Sequence, residues 1–274
     1  MVHTSLEVEE LIDGTISIPT IPTVLAGLQA ILESPTGSAK DAVKVIEHDP
    51  ATATRVLRLV NSSFYGLHNP VSDINLACSI LGVQVIKNLA VQATVLHTVR
   101  SESGDDVDAE RLWDHSFRAA VACRVLAEKT ELAGDLTRED AYTCGLLHDV
   151  GKLILLGSQR DRFTEAVKLS RAERLPLARA EEQVFGFHHA HVGAVLAHRW
   201  RLPPSVQAAV RDHHDRDARR GALVKVANTY AHLAAPRDGG WRGDVLSDSE
   251  LAAFGLRGSL HAEVLRVTAG TRAV

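Results

Sequence analysis

Helical periodicity of the apolar residues is the feature that most constrains the fold of this chain. In the segment IPTVLAGLQAILES, Val24, Leu28 and Ile31 recur on one face of a helix. Nearly every other segment repeats its apolar residues in this way, and none alternates as a β-strand would. Aromatic residues make up only 4% of the chain, which also favours helices over a β-sandwich. The sequence therefore predicts an all-α fold.

Capping signals divide this helical chain into short helices. Ser38, Asp73 and Ser247 each precede a helical segment, where their side-chain oxygens can accept hydrogen bonds from the first backbone N–H groups. Thr137 and Asp140 have the spacing of a capping box before the segment that contains HDVGK. We therefore expect that helix to start beside Thr137.

The chain is expected to form two helical bundles packed against each other. The stretch SESGDDVDA at 101–109 is polar and acidic and contains glycine, which indicates a linker. It separates an N-terminal helical subdomain, residues 1–100, from a second helical subdomain, residues 110–274. The chain is long enough for each subdomain to bury an apolar core.

Charge and cysteine content restrict the class of protein. The net charge of −4 and the pI near 6.4 disfavour a nucleic-acid partner. No apolar run approaches the roughly 18 residues that a membrane span needs, and the N-terminus has no secretory apolar region. Cys78, Cys123 and Cys144 are widely spaced in apolar segments, as is typical of reduced core cysteines. We expect a cytoplasmic protein with no membrane partner.

Histidine is frequent, at 14 residues, and its placement points to one site in the second half. His115 lies on a helical stripe with Leu112 and Ala119, so it faces the core. His148 and Asp149 interrupt the apolar run GLLHDVGKLILLG, and we expect them in the middle of a buried helix. Burying two ionisable groups costs several kcal/mol unless a partner satisfies them.

A metal ion or an internal hydrogen-bond network could each satisfy these groups. Imidazoles combined with a carboxylate suit Fe, Mn, Zn or Mg ions. Such an ion could lower the pKa of a bound water and produce hydroxide without a protein nucleophile. A single inward histidine is more often a satisfied core residue, and spacing alone does not show that several converge. Both interpretations stay open at this point.

Motifs in both halves resemble one known family. The order His115-Ser116, HDVGK at 148–152, HHAHVG at 188–193 and His213-His214 resembles the HD superfamily of metal-dependent phosphohydrolases. In the first half, IEHDPATATRVLRLVNSSFYG and VSDINLACSILGVQVIKNLAV look like the HDOD domain, a bacterial signalling module related to HD-GYP proteins. The resemblance covers about residues 14–235. It implies the HDOD fold, an N-terminal helical bundle packed on an HD-like helical bundle.

The resemblance also implies a set of metal ligands, with Lys152 as a catalytic residue if the protein is active. The implied ligands are His115, His148, Asp149, His189, His213 and His214. Asn228 stands where active HD proteins have their closing Asp, and DRDARR replaces the GYP segment. Because Asn228 brings no negative charge, Asp149 is the only carboxylate among the implied ligands.

A second group of candidates lies in the N-terminal half. The NSSFYG segment can be a helix C-cap, since its polar side chains can satisfy free carbonyls. It can also be a contact for a ligand or a partner protein, together with two nearby arginines that could meet a phosphate. The candidate residues of this second interpretation are Arg55, Arg58, Asn61, Ser62 and Tyr65.

Two functions are compatible with these motifs. The first is a regulatory protein of bacterial signal transduction that binds signalling proteins or a nucleotide messenger without catalysis. The second is a metal-dependent phosphohydrolase or phosphodiesterase. The HDOD segments, Asn228 and the missing GYP segment favour regulation, whereas the nearly complete ligand set favours hydrolysis. We expect the regulatory function.

Overall fold

The computed structural model describes most of the chain, and the described part is helical. The described residues are 5–16, 23–34, 36, 38–48, 50–61, 67–82, 85–86, 109–215, 219–235 and 244–271. Within these ranges there are α-helices and one short 3-10 helix but no β-strand, which confirms the predicted all-α fold.

The helices follow one another closely along both halves of the chain. The first half contains α1 (Ser5–Thr15), α2 (Thr23–Glu33), α3 (Ala39–Glu47), α4 (Pro50–Val60) and α5 (Ile74–Leu81). The second half contains α6 (Ala109–Lys129), α7 (Arg138–Leu147), α8 (Val150–Ser158), α9 (Arg160–Glu173), α10 (Leu177–Phe185), α11 (His189–Arg199), α12 (Pro204–Asp212), α13 (Arg219–Ala234), α14 (Asp248–Ala253) and α15 (Gly258–Gly270). The 3-10 helix, Glu131–Ala133, lies between α6 and α7.

Side-chain caps start several helices where the sequence predicts them. Ser38 and Asp73 accept hydrogen bonds from the backbone N–H groups of Asp41 and Leu76. Ser247 caps α14 in the same way. Each such cap contributes about 1 kcal/mol, because it satisfies an N–H that has no partner inside the helix. These predictions of helix starts are confirmed.

The HD doublet lies at a break between two helices, so the expectation of a continuous helix was wrong. Thr137 caps α7, but α7 ends at Leu147, and α8 begins at Val150. Asp149 adopts φ −98° and ψ 7°, outside the α-helical region. At the break, Nδ1 of His148 donates a hydrogen bond to the backbone oxygen of Gly145, so this carbonyl is satisfied by a side chain. Apolar residues continue across the break, so their pattern did not reveal it.

Two apolar clusters form the core of the described residues, and α6 and α7 contribute to both. The larger cluster is built from helices of the second half, together with Ile12 of α1 and Ile16, the residue after α1. The smaller cluster contains residues of α2 to α5 together with Phe117 of α6 and Tyr142 of α7. The division at residues 101–109 stays a prediction, because residues 87–108 lie outside the described part.

The first helix packs on the second half of the chain. Arg199 of α11 forms an ion pair with Asp13, and the side-chain amide of Gln159 donates a hydrogen bond to the backbone oxygen of Thr15 (2.9 Å).

The described helices include none with the length and apolarity to cross a membrane. The three cysteines are free and buried, as the sequence predicts.

Candidate metal centre

Asp149 is at the centre of a buried cluster of histidines. Its Oδ2 lies 3.3 Å from His148 Nε2 and 3.5 Å from His115 Nε2. The ammonium group of Lys152, one helical turn further on, donates a hydrogen bond to the same oxygen at 2.7 Å. Three polar side chains from α6, the α7–α8 junction and α8 therefore surround one carboxylate oxygen.

The other carboxylate oxygen faces the histidines that come from α11 and α12. Asp149 Oδ1 lies 3.2 Å from His189 Nε2 and 3.9 Å from His213 Nε2. His214, the residue after His213, places its Nε2 2.9 Å from His189 Nε2. The two oxygens of Asp149 thus connect two groups of histidines.

Each of the two groups could hold a metal ion. One group is His115, His148 and Asp149, and the other is His189, His213 and His214. Within each group the ligand atoms lie within 4.8 Å of one another. The structure therefore brings together all six residues that the resemblance implies as ligands.

Close packing of two helices produces this convergence. A Cβ atom built on Gly151 of α8 would lie 1.9 Å from the backbone oxygen of His189 and 2.9 Å from the backbone N of Gly193. No side chain fits at such distances, so only glycine lets the backbones of α8 and α11 approach this closely. The close approach brings His189 to Asp149.

Backbone carbonyls orient two of the imidazoles toward the cluster. Nδ1 of His148 lies 2.8 Å from the backbone oxygen of Gly145, and Nδ1 of His213 lies 2.6 Å from that of Val210. Because a carbonyl oxygen only accepts, both Nδ1 atoms carry the proton. No described residue forms a hydrogen bond with either Nε2 atom, although both are buried. Buried imidazole nitrogens with free lone pairs fit a divalent ion.

Asn228, which the resemblance aligns with the closing Asp of active HD proteins, contacts His115. It lies on α13, and its Oδ1 is 2.9 Å from Nε2 of His115. With the amide in this orientation, the imidazole donates and the amide oxygen accepts. The nitrogen of His115 that faces Asp149 is therefore bound to a neutral side chain.

The electrostatic environment keeps most of the cluster in its metal-binding form. Burial holds the pKa of His115, His213 and His214 well below its usual value, so these imidazoles stay neutral at pH 7. Burial opposes ionisation of Asp149, but its contacts with His148, Lys152 and His189 outweigh burial and hold the pKa of this carboxyl well below its usual value. Neutral imidazoles and an ionised carboxylate are the forms that bind metals.

Two residues of the site escaped the sequence analysis. His232 lies on α13, with its ring centroid 4.5 Å from that of His115. It follows Asn228 by four residues, and this helical spacing places both on one face, so the signal was present. Glu181 of α10 is fully buried and contacts His189 through a hydrogen bond between its Oε2 and Nδ1 (2.6 Å). No helical spacing connects Glu181 with His189, because a turn separates α10 from α11.

The N-terminal candidates lie elsewhere in the chain. Arg55 and Arg58 are on α4, and their side chains are outside the described part, as are Ser62 and Tyr65 entirely. Asn61 follows α4, donates hydrogen bonds to the backbone oxygens of residues 57 and 71, at 2.9 and 2.7 Å, and accepts one from the N–H of residue 71. Its amide thus supports the local chain path, and a role of this set in binding stays a prediction.

Comparison with known proteins identifies the family. The sequence model of the HDOD domain matches residues 18–216. The chain belongs to the HDOD family. An uncharacterised protein of Treponema pallidum is 29% identical to this HDOD protein over 199 residues, which are 72% of the chain. The match spans only 38% of that longer relative.

Solved structures share the HDOD fold. An HDOD domain protein of unknown function from Geobacter sulfurreducens is 26% identical, with a TM-score of 0.70 over 96% of this chain and 87% of its own. A proposed phosphohydrolase from Shewanella amazonensis is 23% identical, with a TM-score of 0.69 over 96% and 95%. A proposed signal transduction protein from Marinobacter aquaeolei is 21% identical, with a TM-score of 0.68 over 98% of this chain and 58% of its own.

Proposed function

We propose that this HDOD protein is regulatory and acts by binding a partner protein or a nucleotide messenger, without hydrolysing a phosphodiester. The burial of the histidine cluster carries this proposal. His115 is 4% exposed, Asp149 2%, His213 1%, and His148 and His189 are fully buried. Hydrolysis by a metal-bound hydroxide requires the scissile phosphate beside that hydroxide. Of the six implied ligands only His214 is partly exposed, and we infer that a cluster buried to this degree among the described residues does not admit a phosphodiester.

Two side chains in the cluster also disfavour hydrolysis. The Lys152 ammonium already binds Asp149 Oδ2 at 2.7 Å, so a metal ion would compete with a cation for that oxygen. Asn228 adds no negative charge where the closing Asp of active HD proteins stands. A pair of metal ions would therefore carry more uncompensated charge than in an active HD protein, and we propose that the cluster holds at most one.

In this proposal the cluster is a scaffold that binds one divalent ion, such as Fe, Mn, Zn or Mg. His189, His213, His214 and Asp149 are the residues that would hold it. When bound, the ion would act as a Lewis acid toward any water that reached it. These four side chains come from the ends of α8, α11 and α12. An ion bound by them would therefore hold the three helix ends together.

The test is a hydrolysis assay on the purified chain. Cyclic dinucleotides and bis(p-nitrophenyl) phosphate are supplied with Mn, Fe, Mg or Zn in separate reactions, beside a His148→Ala control. We expect turnover no higher than that of the control. Robust turnover that disappears in His148→Ala would contradict the proposal and support a metal-dependent phosphohydrolase. Binding of a cyclic dinucleotide without its cleavage, measured by calorimetry, would identify a nucleotide messenger rather than a protein partner.

A further inference from the structure

Glu181 is a buried carboxylate beside the cluster that none of the family motifs includes. Its side chain is fully buried at the centre of α10. Oε2 accepts a hydrogen bond from the backbone N–H of His189 at 2.8 Å and another from Nδ1 of the same residue at 2.6 Å. A fully buried carboxylate is costly unless it is compensated, so its placement against one histidine needs an explanation.

The contact fixes the orientation of the His189 ring. Since the carboxylate accepts from Nδ1, the opposite nitrogen is directed into the cluster. There Nε2 lies 3.2 Å from Asp149 Oδ1 and 2.9 Å from His214 Nε2. A carboxylate that receives the second N–H of a ligand histidine both orients the ring and increases its basicity. Glu181 therefore has the geometry of a residue that supports a ligand without being one.

Glu181 also changes the charge balance of the cluster. With neutral imidazoles, the formal charges are −1 on Asp149, −1 on Glu181 and +1 on Lys152, which sum to −1. Without Glu181 the sum is zero. A divalent ion in the cluster would then leave a net charge of +2 instead of +1. Because charges interact strongly in a buried site, this difference favours binding of the ion when Glu181 is present.

We propose that Glu181 is a positioning residue for a divalent ion held by His189, His213 and His214. This inference rests on the proposed metal site. Asp149 provides one negative charge and the neutral Asn228 provides none. Glu181 supplies a second negative charge, from the opposite end of the cluster. The ion consequently binds at the His189 end rather than beside His115, whose Nε2 is bound to Asn228 at 2.9 Å.

A purely structural role for Glu181 makes a different prediction. The same oxygen accepts from the backbone N–H at the start of α11, where a carboxylate also stabilises a helix. If this were its only role, replacing Glu181 would change the stability of the protein and leave metal affinity unaltered in the folded fraction.

The experiment measures affinity for Mn²⁺ and Zn²⁺ with the full chain after chelator treatment, by calorimetry or competition with an indicator dye. Glu181→Gln retains an oxygen acceptor and removes the charge, whereas Glu181→Ala removes both. We expect a loss of about tenfold for the first and up to about a hundredfold for the second, the range for residues that support metal ligands. The control is Glu182→Gln, one residue along, where Glu182 binds Arg179 at 2.8 Å. It should change affinity by less than about twofold, because Glu182 is partly exposed and pairs with Arg179 rather than with a proposed ligand, so solvent screens its charge.

A second background shows whether Glu181 acts through His189. In a His189→Ala protein, the further change Glu181→Gln should reduce metal affinity by clearly less than it does with His189 present, because Glu181 no longer orients a ligand and only the effect of its charge remains. Denaturant unfolding of each metal-free variant checks that it is folded, and Glu181→Gln decides the question if Glu181→Ala does not fold.

The outcomes separate this inference from the proposed metal site. Wild-type binding with equal affinity in folded Glu181→Gln would overturn the role of Glu181 and leave the metal site standing. Absence of binding by the wild-type chain would overturn both. A loss in Glu181→Gln that persists undiminished in the His189→Ala background would overturn the assignment of Glu181 as a positioning residue.

Discussion

Asn228 Oδ1 and His115 Nε2 lie 2.9 Å apart in the core of the HD-like half, and the imidazole donates to the amide. This hydrogen bond satisfies two buried polar groups without any ion. It also takes the His115 nitrogen that faces Asp149, so the two ends of the cluster are not equivalent. One end is closed by a neutral amide, and the other is supported by the Glu181 carboxylate.

Replacing Asn228 with Asp should strengthen metal binding. The carboxylate adds one negative charge beside His115 and can accept the same hydrogen bond, so we expect the affinity for Mn²⁺ to rise by about tenfold, the factor that corresponds to about 1.4 kcal/mol. Calorimetry on chelator-treated protein checks this. The control Asn228→Ala leaves His115 without its partner and should cost about 1–3 kcal/mol of unfolding free energy. Equal affinities of Asn228→Asp and wild type would contradict the prediction.

Replacing Gly151 with Ala should disrupt the contact between α8 and α11. The added methyl would lie 1.9 Å from the backbone oxygen of His189, so the helices must move apart. We expect a loss of about 1–3 kcal/mol in the free energy of unfolding, the usual cost of overpacking, together with weaker metal binding. Gly14→Ala in α1 is the matched control, since its Cβ would have no atom within 4 Å. It should be neutral or slightly stabilising, whereas an equally stable Gly151→Ala would contradict the close packing.

The metal-free protein should lose stability in mild acid. Burial lowers the pKa of His115, His213 and His214 well below its usual value and that of His232 to about 4. These groups take up protons near pH 6.5 when unfolded but at lower pH when folded. The unfolded state thus binds more protons in this window, and unfolding free energy falls from pH 6.5 to about 4. The pKa of His189 is raised, because Glu181 and Asp149 outweigh desolvation, so this residue opposes the trend.

Urea unfolding at several pH values with chelator present measures this dependence. Each histidine with a lowered pKa contributes up to about 1.4 kcal/mol per pH unit. The four histidines named above, together with His188 and His191, whose pKa burial also lowers, outweigh His189. His232→Gln should make the dependence shallower because it removes one of these groups. A stability that stays constant between pH 6.5 and 4.5 would show that the folded protein binds these protons as readily as the unfolded chain.

The three thiols should react slowly in the folded protein. Burial raises the pKa of Cys78 to about 11 and also raises the pKa of Cys123 and Cys144. At pH 8 the thiolate fraction of Cys78 is then at least about a hundredfold lower than in the unfolded chain. Ellman's reagent in the presence and absence of denaturant measures the difference. The matched control is Ser79→Cys, an exposed neighbour that should react rapidly without denaturant; rapid reaction of the wild-type protein would contradict the prediction.

The sequence predicts the helices well where the signals are local. Periodicity and caps at Ser38, Asp73 and Ser247 depend on residues within one turn, so the helix starts follow directly. The break at His148-Asp149 was not predictable in this way. Just after the break, Gly151 lies against the start of α11, which is about forty residues further along the chain, and such a long-range contact leaves no trace in the apolar pattern.

The site shows the same limit. The family resemblance brings six ligand candidates to notice because their spacing is characteristic. Glu181 has no such spacing, since its relation to His189 depends on how α10 and α11 are joined. His232 differs, because its four-residue separation from Asn228 could have indicated a shared face. Residues that support ligands from another helix become visible only in three dimensions.

The dual role of α6 and α7 limits how the chain can be divided. Phe117 and Tyr142 belong to the apolar cluster of the first half, although the chain places them after residues 101–109. Ile12 of α1 belongs to the other cluster. A truncation between residues 87 and 108 would therefore strip apolar partners from both fragments. We therefore expect that neither fragment folds by itself, and that transplanting one half into another protein would require its counterpart to travel with it.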